Sequence, residues 1–291
     1  MRELDYLAPA TVAEAVAVLR QHDGQARCLA GGTDLIAQLK ERRRQASVVV
    51  DIKRIPDLQV LSYDPANGLR IGAAVTCTAV ARQPEVQANY PALAYACGLV
   101  GSRQIQNRAT VGGNVCNAAP SGDTLGPLLC YGARARIAGP GGQREIPLQE
   151  IWAGPGQTTL APGELLTEVI LPPPADRSAV HYLRFIPREE MDIAVAGVGS
   201  WVRLAPGPRR ECVEARIALC AVGPTMLRAP AAEAALVGRQ LPDEDAFAEA
   251  GRLAAEAARP ISDVRGSADY RRELVNVLTI RTLRAATAAV G

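Results

Sequence analysis

Two short glycine-rich segments constrain this chain more than any other feature: Ala30-Gly31-Gly32-Thr33-Asp34 and Thr110-Val111-Gly112-Gly113-Asn114. Each follows an apolar run and closes on a small polar residue. Glycine has no Cβ, so the backbone there reaches left-handed conformations and approaches a ligand closely. Successive N–H groups in such a turn form a concave anion site, improved where a helix N-terminus points the same way. One such turn is equally explained as a tight strand-to-helix corner. Two of them, about eighty residues apart, predict a single phosphate-bearing ligand clasped from both sides.

A chain of 291 residues is long enough for two domains with separate cores. Hydrophobic residues at 48% and charged residues at 21% suit a globular protein in water. Aromatics make up only 4%, so Ala, Val and Leu must carry the core. The net charge of +2 comes from interspersed acids and bases, which points away from nucleic acid and anionic membranes as partners. Lys40-Glu41-Arg42-Arg43-Arg44 reads as a solvated helix end, where cations suit the dipole. No stretch approaches the roughly 18 apolar residues of a membrane span. The start, Met1-Arg2-Glu3-Leu4-Asp5-Tyr6, carries acids and lacks a signal peptide's apolar run. A cytoplasmic location without membrane insertion is therefore expected. Seven cysteines (Cys28, Cys77, Cys97, Cys116, Cys130, Cys212, Cys220) include no C-x-x-C pair and read as small hydrophobes or free thiols. With only His22 and His181 beside them, no zinc or iron–sulfur centre is expected.

Along the chain, Thr11-x-x-Glu14 forms a capping box for a helix carrying Val12, Ala15, Val16 and Leu19, stopped by Gly24. A compact β–α–β pattern follows: a strand over Arg27–Ala30, a helix over Thr33–Arg44 and a β-branched strand over Ser47–Ile52, making a parallel pair. Val60–Tyr63 and Leu69–Ile71 flank the hairpin connection Asp64–Gly68. Short helices are expected at Thr78–Arg82 and Tyr90–Gly98. Gly101–Gly126 reads as loop, too polar and glycine-rich for a core helix. Leu128–Leu129, Ala135–Ile137, Glu145–Ile146 and Glu168–Leu171 read as strands or their edges. Pro172-Pro173-Pro174 marks a linker, dividing 1–175 (subdomains about 1–56 and 57–175) from 176–291. Beyond it, His181–Ile186, Ala194–Leu204 and Ala215–Val222 predict a three-stranded antiparallel sheet, with a turn at Ala205-Pro206-Gly207-Pro208. Helices at Ala231–Val237, Asp243–Ala258 and Asp269–Ala289 follow, so the fold class is α+β.

A strand, a glycine turn, a helix and a second strand ending in Asp51 resemble the opening of a nicotinamide-binding unit. The G-x-G-x-x-G spacing is missing, however, because position 34 is Asp and position 36 is Ile. The continuing α/β alternation is missing too. The second segment extends through Cys116-Asn117-Ala118-Ala119-Pro120-Ser121-Gly122-Asp123-Thr124. Thr110, Asn114, Asn117, Ser121, Asp123 and Thr124 supply donors and acceptors, at a density that suits a ligand bearing sugar, phosphate and heterocycle. Turn chemistry alone is the plainer alternative.

Ala-Gly-Gly-Thr-Asp near position 30 together with Thr-x-Gly-Gly-Asn near 110 resembles the flavin-binding medium subunit of molybdenum hydroxylases, the relatives of xanthine dehydrogenase, carbon monoxide dehydrogenase and 4-hydroxybenzoyl-CoA reductase. Phe185 through Ala194, ending Asp192-Ile193-Ala194, and the helix start Asp269-Tyr270-Arg271-Arg272 extend the resemblance over essentially the whole chain. It implies noncovalent FAD in an N-terminal PCMH-type domain of two subdomains, followed by a C-terminal domain of antiparallel sheet and helical bundle. Cys28, Leu29, Ala30, Gly31, Gly32, Thr33, Asp34 and Leu35 would bind the diphosphate. Thr110, Val111, Gly112, Gly113 and Asn114 would complete the clasp. Asp123 matches a polar contact after the second segment, while Leu166 and Arg184 fall near the flavin ring. Arg184 replaces a lysine common there, and its charge would favour an anionic reduced flavin. Gln106 stands where many members carry Arg and Ala109 where many carry Gly, which would alter the entry to that segment. No cysteine group could hold the extra four-iron cluster of the benzoyl-CoA reductase branch. The resemblance also implies partners: a large molybdopterin subunit and a small subunit with two two-iron clusters, as a dimer of heterotrimers. With no acid–base or nucleophile constellation of its own, the chain would contribute no catalytic side chain and would pass electrons to an external acceptor. A stand-alone flavin oxidoreductase, akin to enolpyruvyl-sugar reductases, or a non-catalytic binding module are the other readings.

Overall fold

The computed structural model describes residues 3–189 and 191–291. Met1 and Arg2 of the N-terminal stretch, and Glu190 within Phe185–Ala194, lie outside the described residues.

The chain begins with β1 (Asp5–Leu7), α1 (Val12–Gln21), β2 (Ala26–Leu29), α2 (Leu35–Lys40) and β3 (Val48–Asp51). The capping box forms. Thr11 Oγ1 accepts from the Glu14 N–H at 3.1 Å, and the Glu14 carboxylate accepts from the Ala10 N–H at 2.8 Å. This turns Ala15 and Leu19 into the core. The three strands are parallel in the order β1-β3-β2, so the expected pair gains β1 as a third strand. Tyr6 on β1 donates its hydroxyl to Asp51, which also accepts from the Lys53 N–H at 2.9 Å and its ammonium at 2.7 Å. Asp51, the acid of the nicotinamide alternative, is therefore a strand-end pin.

The helix expected over Thr33–Arg44 is confined to Leu35–Lys40. Gly32 at φ +76° delays its start. Its end is a Schellman motif with Arg42 at φ +59° in the glycine position: Arg43 N–H reaches the Gln38 carbonyl at 2.9 Å and Arg42 N–H reaches Leu39 at 3.3 Å. The basic run thus turns back on itself rather than prolonging the helix.

Next come β4 (Leu61–Asp64), β5 (Gly68–Gly72), α3 (Cys77–Arg82), α4 (Pro84–Asn89), α5 (Pro91–Gly98), α6 (Arg103–Gln106), α7 (Val111–Asn117) and α8 (Leu125–Cys130). They precede β6 (Arg134–Gly139), β7 (Gly142–Pro147), β8 (Trp152–Gly154), β9 (Gln157–Thr158) and β10 (Leu165–Leu171). A five-stranded antiparallel sheet runs β4-β5-β10-β6-β7. On its central strand Glu168 is buried between the guanidinium groups of Arg70 and Arg136. Two expectations are corrected here. Gly101–Gly126 is not loop throughout, because Thr110 caps α7 by accepting from the Gly113 N–H at 2.8 Å, and Val111 and Val115, one turn apart, are buried. Leu128–Leu129 are helical rather than extended: they belong to α8, a short helix buried on every side, where an apolar run carries no period to separate helix from strand.

The remainder is β11 (Ser178–Phe185), β12 (Ala196–Leu204), β13 (Cys212–Cys220), β14 (Leu227–Arg228), α9 (Pro230–Ala234), α10 (Glu244–Ala257) and α11 (Ala268–Ala289). The expected three-stranded sheet gains β14 at its edge, in the order β11-β12-β13-β14. Strand alternation divides its faces. Val198, Val202, Ile217 and Leu219 pack in a core with α10 and α11, whereas Tyr182, Trp201, Ala218 and Cys220 join the core of the preceding sheet and helices. On that second face glycine is obligatory. A Cβ on Gly126 of α8 would lie 2.7 Å from Cys220 Sγ, and one on Gly199 of β12 would lie 2.9 Å from Cys130 Sγ. No helix among the described residues is long and apolar enough to cross a membrane.

Gly126→Ala is expected to destabilise the fold by about 1–3 kcal/mol through overpacking. Gly141→Ala, whose Cβ would meet nothing within 4 Å, is expected to be neutral. Guanidinium unfolding of the two variants beside the parent checks the contrast.

Candidate functional site

The two glycine segments meet. A Cβ on Gly31 would lie 2.2 Å from the Arg108 carbonyl oxygen and 2.8 Å from Ala109 Cα, so β2–α2 and the entry to α7 touch backbone to backbone. Gly112 stands as close to the chain on its other side, 2.6 Å from Ala73 Cα by the same measure. The second segment is therefore not the free turn that its glycines suggest. It is the first turn of α7, and its glycines serve close packing. Ala109 causes no departure at this entry: it lies outside the positive-φ residues, is buried, and its carbonyl accepts from the Cys77 N–H at 2.8 Å.

Between the segments lies a cavity of about 430 Å³, within the range of small-molecule and cofactor sites. Of the residues singled out from sequence, Cys28, Ala30 to Leu35, Thr110, Gly112, Gly113, Asn114 and Leu166 line it. Leu29 and Val111 do not, because each faces away from the cavity its neighbours line. Asp123 and Arg184 also lie off its wall. They form a buried ion pair with each other, and the Tyr182 hydroxyl donates to Asp123 Oδ1 at 3.0 Å. Burial raises the Asp123 carboxyl to about 6 despite that guanidinium and hydroxyl. The Arg184 charge is thus matched within the protein rather than free.

The wall is chemically specific. Among the described residues, the N–H groups of Gly31, Gly32, Thr33, Asp34 and Leu35 donate to no protein acceptor, since the first bonds of α2 begin at Ile36. A run of unpartnered amides beside a cavity is costly unless a ligand or water accepts from it. Two guanidinium groups that sequence reasoning missed also line the cavity, Arg27 and Arg44. Neither is within ion-pair distance of a carboxylate among the described residues, although the Asp34 carboxyl, raised by burial, feels the Arg44 charge from the same wall, and Arg27 Nε is buried without any acceptor. Burial, with the Arg44 charge second, draws the Arg27 guanidinium below its ordinary range. Arg44 was expected to be solvated; the Arg42 reversal instead brings it back to donate to the Gly156 carbonyl at 2.8 Å. Gln38 on α2 donates to Asn117 Oδ1 on α7 at 3.0 Å, a side-chain clasp across the junction. Gln38 lies four residues after Asp34, a helical spacing that could have flagged it; nothing in the sequence flagged the Thr158–Leu165 stretch that completes the wall. Amides, two cations and glycine-permitted closeness fit a diphosphate.

Comparison with known proteins shows the family. Residues 2–174 match the model of the FAD binding domain in molybdopterin dehydrogenase, and residues 181–286 match that of the CO dehydrogenase flavoprotein C-terminal domain. The chain belongs to this FAD-binding family. The xanthine dehydrogenase FAD-binding subunit of Escherichia coli O157:H7 is 32% identical over 287 residues, covering 98% of this chain and 97% of that one. The carbon monoxide dehydrogenase medium chain of Hydrogenophaga pseudoflava is 32% identical over 284 residues, with coverage of 98% and 97%. A solved carbon monoxide dehydrogenase structure from Hydrogenophaga pseudoflava superposes with a TM-score of 0.94 at 34% identity, covering 99% of both chains. The chain is thus an FAD-binding subunit of the molybdenum hydroxylase family, an oxidoreductase component of α+β architecture.

Gly31→Ala is expected to part the two segments and cost about 1–3 kcal/mol of stability. Gln38→Ala and Asn117→Ala should each cost about 0.5–1.5 kcal/mol. In a double-mutant cycle their effects should fall short of additive, because they remove one shared hydrogen bond. Chemical unfolding of the four proteins reads both expectations.

Proposed function

We propose that this chain is the electron-delivering FAD subunit of a heteromeric molybdenum hydroxylase. In this reading a large molybdopterin subunit oxidises the substrate, and a small subunit with two two-iron clusters relays single electrons to this chain. The chain passes them to an external acceptor, and the assembly is a dimer of heterotrimers in the cytoplasm. The division into 1–175 and 176–291 belongs to the same reading. The observation that carries it is the run of five unpartnered amides from Gly31 to Leu35 on a cavity shared with α7. The relatives named as a medium chain and an FAD-binding subunit support it, as do free thiols at all seven cysteines, in keeping with a reducing compartment.

FAD when bound supplies one- and two-electron chemistry. The protein supplies position and field. The stretch Cys28–Leu35 would hold the diphosphate, with Arg27 and Arg44 matching its charge, and Thr110–Asn114 would close the clasp from α7. Leu166 would cover an apolar part of the cofactor. Asp123 and Arg184, paired at the junction of the two domains, would stand towards the flavin-ring end, offering that region a matched pair rather than a bare cation. No side chain is assigned a proton transfer.

Two measurements test this. Arg44→Ala is expected to weaken FAD binding about tenfold, the effect of losing roughly 1.4 kcal/mol of charge complementarity, read by flavin fluorescence quenching. Rapid mixing of the oxidised chain with its reduced iron–sulfur partner should bleach the flavin absorption. Substrate turnover by this chain alone would contradict the proposal and favour a stand-alone flavin oxidoreductase.

A further inference from the structure

We infer that Cys28 and Cys116 make the proposed cofactor cavity a modification site for soft, thiol-reactive electrophiles, and that adducts there and FAD exclude one another. Cys77, Cys97, Cys130, Cys212 and Cys220 are buried, whereas Cys28 and Cys116 are only partly so. Both of these partly buried cysteines line the same cavity. They arrive from opposite sides of the junction, Cys28 on β2 ahead of Gly31 and Cys116 on α7 behind Asn114. A reagent that enters the cavity when FAD is not bound therefore meets two cysteines, and meets them beside the unpartnered amides. The inference rests on the placement of FAD in this cavity.

The chemistry needs no oxidant. With a maleimide the sulfur forms a bond to one alkene carbon as the C=C π bond breaks, and the thiol proton is delivered through solvent to the neighbouring carbon. Burial pushes both thiols up to about 12, so the reactive thiolate is scarce at neutral pH and labelling should accelerate about tenfold per pH unit. The adduct then occupies a cavity of only about 430 Å³, next to Gly31–Leu35.

The test removes flavin from the purified protein, treats it with N-ethylmaleimide with and without excess FAD, and follows each cysteine by peptide mass spectrometry. Cys28 and Cys116 should be labelled at least tenfold faster than the other five. Excess FAD should suppress labelling of these two by at least tenfold, and alkylated protein should no longer regain flavin fluorescence quenching. Labelling of the five buried thiols at the same rate would overturn the inference. Labelling confined to Cys28 and Cys116 but unchanged by excess FAD would instead overturn the placement of the cofactor in this cavity.

Discussion

The contact of Gly31 with the backbone of Arg108 and Ala109 is the constraint on which the site depends. A Cβ at that position would sit 2.2 Å from a carbonyl oxygen, closer than any side chain can tolerate. The missing carbon joins a three-stranded parallel unit to the helices of a five-stranded antiparallel one. Gly112 repeats the device against Ala73 one layer further in. Because the backbones touch, amides and short polar side chains stand at the contact itself, while Leu160, Leu165 and Leu166 give the cavity an apolar wall. That is the surface a charged, elongated ligand requires.

Electrostatics reinforce the geometry. Several partly buried arginines elsewhere are matched by carboxylates: Glu168 lies between Arg70 and Arg136, Asp123 against Arg184, Asp263 against Arg271. At the cavity Arg27 and Arg44 stand beside the run of amides without an ion-pair partner among the described residues. Asp34 on the same wall feels the Arg44 charge, yet burial raises its carboxyl; guanidinium groups without an ion-pair partner and unsatisfied donors in one place suit a site completed by an anion. The matched Asp123–Arg184 pair marks the opposite design between the α7–α8 connection and β11, where charge is held fixed.

Much of the fold was legible in local chemistry. The Thr11–Glu14 capping box, the Asp64–Gly68 hairpin and the helices after Pro230 form where cap, turn and periodicity place them. The failures share a cause. Gly101–Gly126 looked too polar for helix, yet Thr110 caps α7 and tertiary packing of Val111 and Val115 holds it; glycine content says nothing about a partner backbone. Leu128–Leu129 had no period long enough to separate strand from helix, and packing against β12 and β13 decided. The glycine segments themselves were legible from spacing and family resemblance. Arg44 was not, because an αL residue at Arg42, not a glycine, reverses the chain, and Arg27 sits on β2 with no local pattern to mark it.

An atomic structure of the FAD-loaded chain is the most direct test of the account. It should show the diphosphate oxygens accepting from the N–H groups of Gly31 to Leu35, within reach of Arg27 and Arg44 and with α7 against the other side. A diphosphate bound anywhere else, with those amides left to solvent, would contradict it.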